Sequence, residues 1–321
     1  MEMPSLTIGR ITSRLPMIQG GMAVRISMAP LAAAVAREGG IGIIAGSGLT
    51  PEELRHEIRT ARESADGGVI GVNIMVAVRN FAELVKAAID EKIDLVISGA
   101  GFSRDVFDWT REAGVPMVPI VGSPRVAVLS ERFGAAAVVV EGQDAGGHLG
   151  AVLPVRELLP SILEAVSIPV VAAGNIVTGA DIHELMSAGA AGVQMGTRFA
   201  ATVESSASDA FKRMYVDAAE DDIVLVDSPV GLPGRALRNP LTERLAAGVE
   251  PRIERCIVCL KKCGKQFCIM DKLVKAQGGD VEDGLVFTGG GVARIHDVPT
   301  VRELMDRLVA EYAFATEGGA A

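Results

Sequence analysis

The chain has 321 residues, with 31 Lys and Arg against 40 Asp and Glu and a formal net charge of −9. That length buries a sizeable core, and 49% apolar with 22% charged residues excludes a disordered chain. The acidic balance argues against a protein that coats nucleic acid by neutralising phosphates, and 4% aromatic residues offer little platform for stacking bases.

The N-terminal stretch Met1 to Arg14 mixes charge and polarity and has no apolar signal region. No stretch reaches the ~18 consecutive apolar residues of a membrane span. The expected location is therefore the cytoplasm, with the four cysteines reduced. Next comes a series of short apolar runs. They are Pro16 to Gln19, Gly42 to Ala45, Val69 to Asn73, Leu95 to Ser98, Met117 to Val121, Ala137 to Glu141, Val170 to Ala173 and Gly192 to Met195. Their length and β-branched content suit strands buried on both faces.

Helical patterns alternate with them: Ala29 to Arg37, a segment opened by Thr50-Pro51-Glu52-Glu53, Phe81 to Asp90, Arg104 to Glu112, Arg125 to Phe133, Arg156 to Val166 and Ala180 to Ser187. Thr50 and Glu53 have the spacing of a capping box, and Pro51 suits the first helical position. Gly114, Gly134 and Gly189 stand where a left-handed residue stops a helix. Eight strand–helix units predict a (β/α)8 TIM barrel; a doubly wound open sheet is the rival. The count of eight and the glycines at strand ends favour the barrel.

After Phe199 the texture changes. Helical patterns cover Glu204 to Val216, Leu241 to Ala247 and Val301 to Tyr312, with a turn-rich stretch from Asp227 to Gly234 between the first two. This divides the chain into a barrel core (1–203), a smaller, mainly helical lobe over the barrel mouth (204–287), and a segment returning to the barrel (288–321), whose end from Ala315 to Ala321 is expected to fray.

Barrel sites lie at the C-terminal ends of the strands. The first strand runs into Gln19-Gly20-Gly21-Met22-Ala23, where glycines let a backbone approach a flat ligand; a plain tight turn is the alternative. The third ends at Asn73, with Met75 beyond, offering a carboxamide as ligand contact or loop bridge. The sixth runs from Glu141 into Asp144-Ala145-Gly146-Gly147-His148-Leu149-Gly150. His148 has glycines on both sides and little core to pack into, so a proton-handling role is favoured. His56, His183 and His296 have no comparable setting. Gly174, after the seventh strand, and Gly196-Thr197, after the eighth, stand where barrels bind phosphate.

Together, Gln19-Gly20-Gly21-Met22-Ala23, Gly71-Val72-Asn73, Glu141…Ala145-Gly146-Gly147-His148-Leu149-Gly150, Ala172-Ala173-Gly174 and Gln194-Met195-Gly196-Thr197-Arg198-Phe199 resemble the nitronate monooxygenase (formerly 2-nitropropane dioxygenase) family, which includes the FMN-dependent enoyl-ACP reductases. The likeness continues through Glu204-Ser205 and Gly231-Leu232-Pro233-Gly234-Arg235. It implies a barrel binding FMN non-covalently. Gly21, Met22 and Ala23 would line the isoalloxazine, Asn73 and Met75 its edge, and Gly146 would pass close to the ring. Ala173, Gly174, Asn175, Gly196 and Thr197 would hold the phosphate, and His148 falls on the family's catalytic His.

The implied activity is oxidation of alkyl nitronates or nitroalkanes. The rivals are an enoyl-ACP or quinone reductase using NAD(P)H as co-substrate, and an FMN-binding protein without turnover. His148 would be a base or orienting donor in the first case and an acid in the second. The expected partner is a small-molecule substrate, with neither nucleic acid nor membrane, and a homodimer is left open.

Two features depart from the family pattern. Asn175 replaces the usual second glycine after the seventh strand. The run Cys256-x2-Cys259-x3-Cys263-x4-Cys268 holds every cysteine of the chain. Four thiolates could ligate Zn2+ or an iron–sulfur cluster, although the spacing matches neither ferredoxin runs nor paired C-x2-C knuckles; the other reading is reduced structural thiols.

Overall fold

The computed structural model describes residues 3–318. In chain order, the elements begin with a hairpin, β1 (Leu6–Ile8) and β2 (Ile11–Ser13), then β3 (Met17–Gln19), α1 (Ala29–Arg37), β4 (Ile41–Ala45), α2 (Pro51–Ser64), β5 (Val69–Met75), α3 (Phe81–Asp90), β6 (Leu95–Gly99) and α4 (Arg104–Glu112). They continue with β7 (Met117–Val121), α5 (Pro124–Arg132), β8 (Val138–Glu141), β9 (Gly147–His148), α6 (Val155–Ala165), β10 (Val170–Ala173), α7 (Gly179–Ser187), β11 (Gly192–Met195) and the short α8 (Thr197–Ala200). The remainder is α9 (Asp209–Val216), β12 (Ile223–Asp227), β13 (Pro233–Leu237), α10 (Pro240–Ala246), α11 (Ile269–Gly278) and α12 (Val301–Thr316).

Eight strands close into a parallel barrel in the order β3-β4-β5-β6-β7-β8-β10-β11, with β11 returning to β3. Both faces of these strands are covered, so their sequences are apolar runs rather than alternations. Ile18, Ile41, Ile43, Leu95, Ile97, Val118, Val139 and Val171 fill the interior. Gly71 leaves the room they need: a Cβ there would stand 2.6 Å from Leu95 Cδ2 and 2.7 Å from Ile43 Cδ1. The β1–β2 hairpin, not foreseen in the sequence, adds Leu6 and Ile8 to that same interior cluster.

The helices pack outside. The capping box on α2 forms as expected: Glu53 N–H donates to Thr50 Oγ1 (3.2 Å) and Thr50 N–H to Glu53 Oε2 (2.8 Å). Thr178 with Asp181 and Thr300 with Glu303 repeat it on α7 and α12. Each such cap is worth about 1 kcal/mol.

The stretch expected to form a mainly helical lobe, residues 204–287, contains three helices, α9 to α11, and also a hairpin. β12 pairs antiparallel with β13, and β13 pairs with β9, a strand contributed by the barrel's own active-end loop. Helix α9 begins at Asp209 rather than Glu204, because Ser208 Oγ caps Phe211 N–H and the Glu204 carboxylate turns away to Val301 N–H. Helix α12 runs on to Thr316, tied by the buried Tyr312 and the Thr316 Oγ1 bond to its carbonyl (2.9 Å), so Ala315 and Thr316 are helical rather than frayed. Residues 1, 2 and 319–321 lie outside the described residues. Among the described residues, no helix is long and apolar enough to cross a membrane.

Candidate active site

One cavity opens at the C-terminal ends of the barrel strands and runs under the lobe. Gly21, Met22, Ala23, Asn73, Met75, Gly146, Ala173, Gly174, Asn175, Gly196, Thr197 and His148 all line it. The lobe adds Tyr215, Leu273 and Phe287.

A buried polar knot shapes the first loop. Gln19 Nε2 donates to Ser27 Oγ (2.9 Å), and Gln19 Oε1 accepts Ile43 N–H (3.1 Å). Ser27 Oγ also accepts Met22 N–H (2.9 Å) and donates to Gly20 O (3.1 Å). The chain from Gly20 to Met22 is thus set by side chains behind it. Gly21 lies against Asn73, where a Cβ would collide with the carboxamide side chain. Met75 N–H is held by Ser47 Oγ (2.8 Å).

The loop after β8 is folded by Asp144, whose Oδ1 accepts Val155 N–H (3.0 Å) and whose carbonyl accepts Gly290 N–H (2.9 Å). Gly146 rests on the glycine run of the C-terminal segment; a Cβ would stand 2.9 Å from Gly289 N. His148 then enters the lobe's sheet, its backbone opposite Gly234. Its Nε2 is 2.7 Å from Ser228 Oγ, and the Phe287 ring meets the imidazole edge-on at 5.0 Å between centroids. Burial pushes the imidazole pKa down to about 4, so the ring is neutral at pH 7.

Glu141, at the end of β8, lines the same cavity and has no side-chain hydrogen bond among the described residues. Burial, with Asp144 nearby, pushes its carboxyl up to about 8, so it holds its proton at neutral pH. The cavity therefore carries two titratable groups driven to their uncharged forms.

At the other side, Gly174 (φ 133°) and Asn175 (φ 46°) both have left-handed backbone. Asn is the residue other than Gly that tolerates this best, which accommodates the departure at position 175. Arg294 locks it, donating to Asn175 O (3.0 Å) and Oδ1 (2.9 Å) from one nitrogen and to both Asp181 oxygens from another. Thr197 Oγ1 accepts Gly289 N–H (2.8 Å). Among the described residues, the N–H groups of Asn175 and Thr197 have no backbone partner outside the regular elements, and α8 opens at Thr197 with the unpaired amides of any helix start.

Sequence reasoning did not single out Glu141, Gln194, Ser228, Tyr215 or Phe287 as site residues. Glu141 and Gln194 stood in quoted strand ends, so position alone could have named them. Ser228 and Phe287 come from a turn and a coil that reach the site only through the lobe's fold.

The four cysteines lie apart from this cavity. Their segment adds itself to the loop after β5, with Arg79 N–H donating to Cys259 O and Lys261 N–H to Ala77 O, both at 2.9 Å. All four are free thiols, Cys256 and Cys263 exposed. Burial, then the neighbouring Cys268, Cys263 and Cys256, raises the Cys259 thiol above its usual value. Among the described residues, no three His, Cys, Asp or Glu side chains gather closely enough to hold a metal ion.

The family model for nitronate monooxygenase matches residues 5–89 and 70–311. The chain belongs to the nitronate monooxygenase family. It is 30% identical to (3aS,4S,5R,7aS)-5-hydroxy-7a-methyl-1-oxo-octahydro-1H-indene-4-carboxyl-CoA dehydrogenase of Mycobacterium tuberculosis, with 92% of each chain covered. Its structure is similar to FabK from Thermotoga maritima, at TM-score 0.85 and 32% identity over 94% of each chain. It is also similar to nitroalkane oxidase from Streptomyces ansochromogenes, at TM-score 0.83 and 26% identity over 95% of this chain and 98% of that one. The chain is thus an oxidoreductase on a (β/α)8 barrel, and the cavity at its strand ends is where this family member's chemistry is to be sought.

Proposed function

We propose that the chain is an FMN-dependent oxidoreductase that oxidises alkyl nitronates or nitroalkanes, with His148 as the proton-handling residue. The observation that carries this reading is that His148 shares one cavity with Asn175 and Thr197, whose N–H groups, among the described residues, have no backbone partner outside the regular elements and suit a phosphate. The residues also fit the ring. Gln194 lines the cavity, and its buried Oε1 has no hydrogen-bond partner among the described residues, so it suits an N–H such as the flavin pyrimidine ring presents. The amides after β10 and β11 suit the phosphate, and the backbone at Gly21 and Met22 suits a flat ring.

When bound, FMN supplies the electron-accepting chemistry that no side chain here can. The protein's part is to bind, orient and move a proton. Gly21, Met22, Ala23, Asn73, Met75 and Gly146 line the ring's surroundings. Ala173, Gly174, Asn175, Gly196 and Thr197 would hold the phosphate. His148, uncharged at pH 7, serves the reacting carbon acid as base or as orienting donor, while Tyr215, Leu273 and Phe287 form the wall of the cavity on the side away from the barrel.

A second reading is reduction or oxidation of an acyl thioester. It is favoured by the CoA-thioester dehydrogenase relative and by Glu141, which keeps an available proton at neutral pH. Anaerobic mixing of the flavin-loaded protein with propionate-3-nitronate, a nitroalkane, NADH and NADPH separates them. Bleaching by nitronate or nitroalkane alone supports the first reading. Bleaching by NAD(P)H, reversed by an enoyl thioester, supports the second. Protein that carries no flavin and binds none would remove both.

A further inference from the structure

Ser228 sits in the turn between β12 and β13, 80 positions from His148 in sequence, and is 4% exposed. Its hydroxyl has two hydrogen-bonding neighbours among the described residues. Val230 N–H donates to Oγ at 3.3 Å, and His148 Nε2 lies 2.7 Å away. Among the described residues, Nε2 is the only acceptor within reach of the Ser228 hydroxyl hydrogen. If Nε2 carried a proton instead, it would point a donor at Oγ and leave a buried O–H with nothing to donate to. A buried polar group left unpaired in this way costs about 1–3 kcal/mol.

We infer that Ser228 is the positioning residue of His148: its hydroxyl donates to Nε2, fixing the neutral ring with its proton on Nδ1. Among the described residues, Nδ1 has no protein hydrogen-bond partner, and His148 lines the cavity, so a molecule bound there is the partner left for its proton. The ring therefore offers a bound molecule a neutral Nδ1–H donor, with its lone pair already engaged by the lobe. Of the two roles open to His148, orienting donor is the one this arrangement selects. Phe287, edge-on to the imidazole at 76°, and the β13–β9 ladder at Gly234 hold the ring where Ser228 can reach it. Ser228 acts through His148 and is placed by the hairpin that the lobe adds to the catalytic loop.

The inference rests on the reading that His148 meets the substrate, but its test reads the ring without substrate. The chain has four histidines, so comparison with His148→Gln assigns the His148 signals in 15N NMR of the flavin-loaded protein. Wild type is expected to show a neutral ring protonated at Nδ1. Ser228→Ala is expected to lose that single tautomer and Ser228→Thr, which keeps a hydroxyl, to retain it, with near-UV circular dichroism showing that both fold. Turnover is expected to fall about tenfold in Ser228→Ala, the scale of one lost buried hydrogen bond, with recovery in Ser228→Thr. A wild-type ring protonated at Nε2, or a Ser228→Ala ring indistinguishable from wild type, would overturn the inference. The reaction class fails separately, through flavin bleaching, which leaves the NMR result intact.

Discussion

Gly234 stands directly opposite His148 in the antiparallel ladder of β13 and β9, and its missing side chain is where Phe287 packs. A Cβ on Gly234 would lie 2.6 Å from Phe287 Cε1, and Phe287 is the ring that abuts His148. The lobe thus holds both the backbone and the flank of His148.

Gly234→Val should push Phe287 off the imidazole. Overpacking at such a site costs about 1–3 kcal/mol. The expected result is a lowered melting temperature together with a fall in turnover, while Gly231→Ala, where a side chain meets open space but the backbone is left-handed (φ 86°), should lower stability without the turnover loss. Thermal melts and steady-state rates on the two variants check this.

His148→Gln should keep the fold and bound flavin but lose about 10²–10³ in turnover, the usual share of one preorganised hydrogen-bond donor. Flavin absorbance measures retention and steady-state kinetics the loss.

Glu141 and His148 give stability opposite pH slopes. Glu141 titrates at about 8 in the folded chain against 4.5 for the free group. As pH rises through that window the unfolded chain releases a proton that the folded chain keeps, so stability falls. His148 titrates at about 4 against 6.5. There the unfolded chain binds the extra proton, so stability falls as pH drops through 6.5 toward 4. In flavin-free protein, Glu141→Gln should therefore melt higher than wild type by a margin that grows from pH 5 to pH 8. A constant margin would contradict the assignment.

Arg294→Ala should loosen the left-handed Asn175 by removing both of its bonds there. FMN affinity is expected to drop about tenfold, one to two lost hydrogen bonds' worth. Asn175→Gly should be tolerated, whereas Asn175→Val, β-branched at φ 46°, should not. Titration of apoprotein with FMN by fluorescence quenching reads all three.

Thiol-alkylating reagents should label Cys256 and Cys263 ahead of Cys259. The first two are exposed, while burial and neighbouring thiols keep Cys259 protonated, and the thiolate is the reactive form. Mass spectrometry at short reaction times gives the order.

Much of this site was legible because barrel chemistry is one-dimensional in sequence. Each strand ends in a short loop, and Gly21, Asn73, His148, Gly174 and Gly196 could be read off those ends in order. Helices α1, α3 and α4 were also readable to the residue from their periodicity, with Gly39 and Gly114 following α1 and α4 in left-handed backbone. What was not legible depends on long-range pairing. The β1–β2 hairpin is too short to announce itself. The β12–β13 hairpin gains its partner from a two-residue strand at His148. Helix α11 was hidden behind the lysine and cysteine run that precedes it. Ser228 and Phe287 reach His148 only through these pairings, and Glu141 gains its raised pKa only from burial that no local pattern records. The cysteine run was conspicuous in sequence, yet the fold places it away from the cavity and leaves its thiols free.

The most direct test of the central claim is anaerobic stopped-flow mixing of flavin-loaded wild type and His148→Gln with a nitroalkane and with propionate-3-nitronate. The expected result is rapid bleaching of the flavin band in wild type and bleaching slowed about a hundredfold or more in His148→Gln. Bleaching at equal rates in both proteins, or none in wild type by either substrate while NADH or NADPH bleaches it at once, would contradict the account.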